Sequence, residues 1–460
     1  MIDTTSTLAK IRKLRESRWS RGWGTLPIVL GLPFVLLLLS VCRFVRNEYI
    51  ASLQLQKEVA AIRNSMLPFD NLSLSRYFFN TASHEQSTAW RDVLVALEPV
   101  DQWARDASKT YKPNTSYDIE LLPAPGADGQ VDWPDAASFE EYSNEVQPII
   151  SRIEELTRDP KPTWQPLDFQ GFSTRLPDAH QSQTISRMLA VEFCHAVYIK
   201  NSDRALRALR LDAASMVVYD WQVFSMADSI TCLRKVSLFQ QIRESLAHDI
   251  WAQEQLDSIS EIVGPEPDLA GRWYRTLATD RAMLLTSMDA NSGALLSTYS
   301  WNRKKGTILA SSQLELLKLA TRNMDAGNGG YQGLADRVRA SNLQFNIRSS
   351  KFLSFLWGEK EQQEWRGVFG FRDYYAMQCE RCESSRRLTR TALAIKQYQL
   401  ENQRWPATLS ELSEAKLFKS DRTALAVGLF EYRIAPDGKS SFIGTSESPE
   451  NQRFPESEIR

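Results

Sequence analysis

Histidine and cysteine are scarce in this sequence, and neither is arranged for a familiar chemistry. The four histidines stand at positions 84, 180, 195 and 248. No His-Glu-x-x-His, Gly-x-Ser-x-Gly or kinase-type set occurs, so neither a hydrolase nor a kinase reading has positive support. Five cysteines are present: Cys42, then Cys194, Cys232, Cys379 and Cys382. An excess of charge is also lacking, with 55 Lys and Arg against 56 Asp and Glu and a net charge of −1. That balance leaves no electrostatic footprint for nucleic acid. The glycine-rich stretch 326–333, AGNGGYQG, lacks the preceding strand and the Gly-Lys-Ser/Thr ending of a phosphate cradle, and reads as a flexible loop. No metal or cofactor is expected. Long uncharged runs are rare too, with one exception.

Residues 22–42 read GWGTLPIVLGLPFVLLLLSVC, without a single charge. A helix needs about 20 predominantly apolar residues to cross a hydrocarbon layer about 30 Å thick. Trp19 and Trp23 stand at its entrance, where amphipathic rings favour the interface. Ahead of it lie Lys10, Arg12, Lys13, Arg15, Arg18 and Arg21, whereas only Arg43 and Arg46 follow closely. The positive-inside bias therefore predicts a single-pass, N-in signal anchor with the bulk of the chain extracytoplasmic. A cleaved signal peptide would show a shorter apolar run and a small-x-small site, which Ser40-Val41-Cys42 does not offer. The lipid bilayer, through residues 22–42, is thus the first predicted partner.

Hydrophobic residues at 43% and thirteen tryptophans argue for packed domains rather than disorder. Residues 43–179 read as juxtamembrane helices and proline-rich linkers. Leu55, Val59, Ile62 and Met66 form a short heptad stripe, and residues 86–108 a helix. Breakers cluster over 112–137 and again at Pro160, Pro162, Pro166 and Pro177. From residue 180 to about 370 helical periodicity is nearly continuous and predicts a helical-bundle ectodomain. Residues 371–460 read as a long helix to about Glu401, followed by a small α+β element. Its hairpin is signalled by alternating Phe430, Tyr432 and Ile434 and the Asp437-Gly438 turn. The predicted class is mainly α.

Cys379-Glu-Arg-Cys382 is the one spacing with candidate chemistry. It lies within a helical run, without the strand-to-helix context of a thioredoxin-like motif. As half of a zinc site it would need a second pair, and Cys194, His195 and Cys232 match no common spacing. Buried structural thiols, a structural disulfide and a thiol-redox pair all stay open. Arg386, Arg387 and Arg390 read as a solvated helix face.

Two blocks carry a resemblance. Residues 203–288 begin DRALRALRLDAASMVVYDWQVFSMADSITCLRKVSLFQ, and residues 388–412 read LTRTALAIKQYQLENQRWPATLSEL. Together they resemble uncharacterised single-span bacterial membrane proteins with a helical ectodomain. The resemblance implies a bacterial inner-membrane location and no particular activity. The second block is also similar to the main pseudopilin of type II secretion, where a helix runs into a Gly-Arg-Tyr-Pro turn. Gln403, Arg404, Trp405 and Pro406 hold those places here, and the pseudopilin processing signature is absent. The resulting expectation is a membrane-anchored structural or interaction module with a protein partner. An extracytoplasmic enzyme or thiol-redox protein using Cys379 and Cys382, or a part of a secretion or pilus-like apparatus, are the alternatives.

Overall fold

The computed structural model describes residues 4–65, 67–81, 83–111, 136–161, 163, 169, 174, 178–218, 224–264, 269–288, 310–414, 430–436, 440–445 and 457–459. The chain is mainly helical with a small antiparallel sheet, as the periodicity predicts. The first breaker-rich linker, 112–135, lies outside the described residues.

Two compact units divide the chain. The first holds residues 1–65 and 305–316. Its helix α1 runs unbroken from Thr4 to Arg63, and its side chains are described from residue 34 onward. Residues 22–33 of the predicted span therefore lie outside the described side chains. Among the described residues no helix is long and apolar enough to cross a membrane. The described part of the span, Phe34 to Val41, is exposed on every side.

The second unit, residues 66–304 and 317–460, carries nearly all of the core. It begins with α2 (Asn71–Thr81), α3 (His84–Tyr111) and α4 (Ala136–Leu156), then α5 (Asp178–Tyr198), α6 (Ser202–Val218), α7 (Ser225–Ser245), α8 (Gln253–Val263) and α9 (Leu269–Met288). Local chemistry sets the boundaries. Asp70 accepts the Ser73 amide at 2.7 Å and the Asp70 amide donates to the Ser73 hydroxyl, capping α2. Lys200, with φ 57°, ends α5, and the Asn201 side chain accepts the Arg204 amide to start α6. The cap is thus Asn201. Gly264 closes α8 with φ 71°, in the region glycine enters without a Cβ clash.

The remaining elements are α10 (Ala310–Asp325), a 3₁₀ turn (Ala326–Gly329), α11 (Leu334–Asn402), α12 (Ser410–Glu414) and strands β1 (Phe430–Ile434), β2 (Ser441–Thr445) and β3 (Ser457–Ile459). The long helix predicted from Phe371 begins at Leu334, because residues 334–370 hold no proline to stop it. The sheet order is β1-β2-β3, antiparallel throughout, with Tyr432 opposite Ile443 and Phe442 opposite Glu458. Phe430 and Tyr432 turn inward as predicted, but Ile434, at the strand end, is 39% exposed. The Asp437-Gly438 turn lies outside the described residues. Ile443 and Ile459 are fully buried in one core with Leu388, Leu393, Tyr398 and Leu412. Trp405 is buried at the corner, and the Tyr432 hydroxyl donates to the Pro406 carbonyl at 2.8 Å. A hairpin is marginal alone, and this sheet is stabilised by its seat on α7 and α11.

Candidate functional site

The site is built where α7 crosses α11. On α7, Asp228, Cys232, Lys235 and Phe239 recur at steps of four, three and four, so they share one helix face. On α11, Tyr375, Cys379, Cys382 and Arg386 do the same, and Glu383 stands one turn on from Cys379. The two faces meet, with Ala213, Met216 and Val217 of α6 and Ile262 and Val263 of α8 alongside. Arg272 of α9 and Tyr331 complete the wall of a cavity of about 250 Å³. One side of it is hydrocarbon. The other holds three thiols, two guanidinium groups, an ammonium, a carboxylate and a phenol.

The thiols form a connected cluster. Cys232 is hydrogen-bonded to both Cys379 and Cys382, all three line the cavity, and Cys194 is not among its lining residues. Those two bonds, with a smaller contribution from the Arg272 charge, hold the Cys232 thiol well below the ordinary thiol range despite its burial. Burial and the neighbouring Cys232 push Cys379 well up. The bond to Cys232, with burial, does the same to Cys382. One thiol of the three therefore titrates early and two late. Cys382 is the half-buried member, and the other two are buried. Among the described residues no group of three or more His, Cys, Asp or Glu side chains is set to hold a metal ion.

Charged pairs frame the cluster. Burial would raise the Asp228 carboxyl, but the Arg272 charge and hydrogen bonds, with the Tyr375 hydroxyl, hold it below the usual carboxylate range. Arg272 Nε donates to Asp228 Oδ1 at 2.8 Å. Arg386 grips Glu383 with two bonds of 2.8 Å and donates to the Gly264 carbonyl at 3.1 Å, and Arg387 adds a third bond to Glu383 at 2.6 Å. Bidentate pairs of this kind fix orientation as well as charge. The predicted solvated arginine face is thus corrected. Arg386 is 3% exposed and Arg387 is partly buried, with their carboxylate, Glu383, one turn away on the same helix, and Arg390 is also partly buried. Lys235 enters no ion pair among the described residues.

The glycine-rich stretch proves to be a packed support for this wall. A Cβ on Gly327 would overlap the indole of Trp273, so glycine is required for the close approach. Gly330 and Gly333 hold φ 75° and 67°. Arg337 donates to the carbonyls of Ala326 and Gln332 at 2.9 and 2.6 Å and also to that of Gly330, which pins the loop. Trp273 in turn donates to the Asn323 carbonyl at 2.8 Å and stacks on Tyr375, centroids 4.9 Å apart. The expectation of a flexible loop is corrected on these contacts.

Cys379 and Cys382, the candidate pair from sequence, therefore lie in the site. Cys232, Lys235, Arg272 and Glu383 were missed as members of it. Their signal was the matching period of polar residues on two helices, which shows only once those helices are known to cross. His195 is elsewhere, buried in the α5 core, its pKa lowered by burial and by Arg204. Compared with known proteins, the chain matches no family model, no curated protein and no solved structure.

Proposed function

We propose that the chain is a single-pass, membrane-anchored protein of a bacterial inner membrane, whose extracytoplasmic helical body serves as a structural or interaction module. One observation carries the reading. Phe34, Val35, Leu36, Leu37, Leu38, Leu39 and Val41 cover about two turns of α1 and are each about half or more exposed, between 49% and 64%. A helix that is apolar all round belongs in a core or a bilayer. The uncharged run continues back to Gly22, and the cations crowd ahead of it. In a bacterial host the full chain should fractionate with membranes and resist extraction at high pH, and deletion of residues 22–42 should release it. A soluble full-length chain would sink the proposal.

A second reading, extracytoplasmic thiol chemistry, is favoured by a separate observation. Three cysteines and three cationic side chains share one cavity. Thiol titration of the folded protein tests it. A thiol among the three that reacts faster than Cys194 supports it, and equal inertness of all four removes it.

A further inference from the structure

The three-thiol cavity carries the second reading further, to a division of labour among the thiols that rests on that reading. Cys379 and Cys382 sit on successive turns of α11, whose helix is unbroken through both residues. Side chains three apart on such a helix have Cβ atoms about 5–6 Å apart. A disulfide needs about 3.8 Å. The Cys-x-x-Cys pair thus closes only if the helix unwinds, and Leu388, Ala392 and Ile395 of the following turns are fully buried against unwinding. Cys232 is under no such restriction. It faces both cysteines from α7, and the three thiols line one cavity and belong to one packed cluster.

We infer that Cys232 is the attacking thiol of a dithiol site that reduces a small disulfide, with Cys379 or Cys382 as the resolving thiol. The Cys232 thiolate attacks one sulfur of the bound disulfide, forming a mixed disulfide and expelling the other sulfur as a thiolate that takes up a proton. The resolving cysteine then loses its proton and attacks the Cys232 sulfur. An intramolecular disulfide closes, and the remaining half of the substrate leaves as a thiol. The substrate gains two electrons and two protons; the protein supplies both electrons and the proton of the resolving cysteine, and the second proton comes from water.

Several features of the cavity suit this role. Cys232 is the member of the cluster with two thiol donors, and donors favour its thiolate. Lys235, one turn along α7, and Arg272 supply positive charge at the same wall. Lys235, unlike Arg272, is not held in a close ion pair among the described residues, although its charge also acts on Asp228. It is therefore the group suited to a carboxylate of the substrate. The apolar side, with Met216, Val217, Phe239 and Val263, accepts the carbon skeleton. A space of about 250 Å³ suits a small-molecule disulfide or part of one, and excludes a folded protein domain.

The test uses the full-length protein, reduced, freed of reductant and exposed to oxidised glutathione, then acid-quenched, alkylated and digested with trypsin. Cleavage after Arg234, Arg381 and Arg386 releases Cys232, Cys379 and Cys382 in three different peptides. The expected product links the Cys232 peptide to one of the other two, and glutathione should appear as thiol in twofold excess over protein. In the Cys379→Ser/Cys382→Ser variant the expected product is a stable glutathione adduct on Cys232. A Cys379–Cys382 link with Cys232 left free would overturn the inference while leaving thiol chemistry at this site in place. A lasting adduct on Cys232 in the unmodified protein would overturn the resolving step and with it the inference. If none of the three thiols reacts, both the inference and the reading beneath it fall.

Discussion

Two regions of the helical body contain much the same ingredients. On α5, two residues before Cys194, the buried Glu192 pairs with Arg204, which also donates to Ser143, while Gln147 donates to Glu192 at 3.1 Å. Around Cys232, the buried Asp228 pairs with Arg272 and accepts from Tyr375. Each region thus has a thiol, a carboxylate, a guanidinium and a hydroxyl. Their thiols nevertheless behave in opposite ways. Cys194 lies in the main apolar core, and burial, with the nearby Glu244 charge, drives its pKa well up. Cys232 meets two thiols and a cation at the wall of a cavity, and goes well down. The composition of a site therefore does not set its chemistry. What separates them is convergence of like groups from two helices, and a space for something else to enter.

The comparison is most readily broken by removing the support behind the cavity. Trp273→Ala deletes a fully buried ring that stacks on Tyr375 and fills the space over Gly327. It should cost about 3–5 kcal/mol in a chemical or thermal melt. The remaining folded protein should lose the distinct reactivity of Cys232. Unchanged stability would mean that the glycine-rich loop does not support the cavity wall.

Leu189→Ala is the matching change in the other region. Leu189 is 1% exposed in the core that includes Cys194, and its truncation should cost about 2–5 kcal/mol. Local opening should make Cys194 more reactive while the Cys232 cluster keeps its profile. A parallel change at both thiols would show that the two regions do not open separately.

The smallest expected effect concerns pH. Alkylation rates measured residue by residue should rise for Cys232 with a midpoint below the ordinary thiol value, and for Cys194 with a midpoint above it. For stability the signs are opposed. A thiol lowered on folding stabilises the folded protein increasingly as pH rises through its folded value, up to the ordinary thiol range. A thiol raised on folding costs stability as pH climbs from the ordinary value towards its folded one. Coincident midpoints for Cys194 and Cys232 would remove the contrast.

How much of this was legible beforehand differs from element to element. The stripe Ile185, Met188, Leu189 and Phe193, part of the helical periodicity read from residue 180 onward, has a period that only a helix satisfies, and all four are buried. The hairpin could be read because strand alternation is equally local. Element ends were harder, since the cap at Asn201 depended on which of several adjacent polar side chains reached the first free amide. The glycine stretch was misread because φ preference is local, whereas the indole that demands Gly327 comes from 54 positions earlier in the chain.

By itself, then, the sequence determined the helical class, the C-terminal hairpin and the uncharged run 22–42, because periodicity and composition act over a few neighbouring residues, while the third strand, Ser457–Ile459, came only with the structure. Only the tertiary structure decided that Cys232 joins Cys379 and Cys382, that Arg386 is buried beside Glu383, and that a cavity lies among them. The Cys232 and Cys379 side chains are separated by 147 positions in the chain. Nothing in their local spacing records the crossing of two helices, which is settled by how the whole apolar surface is buried.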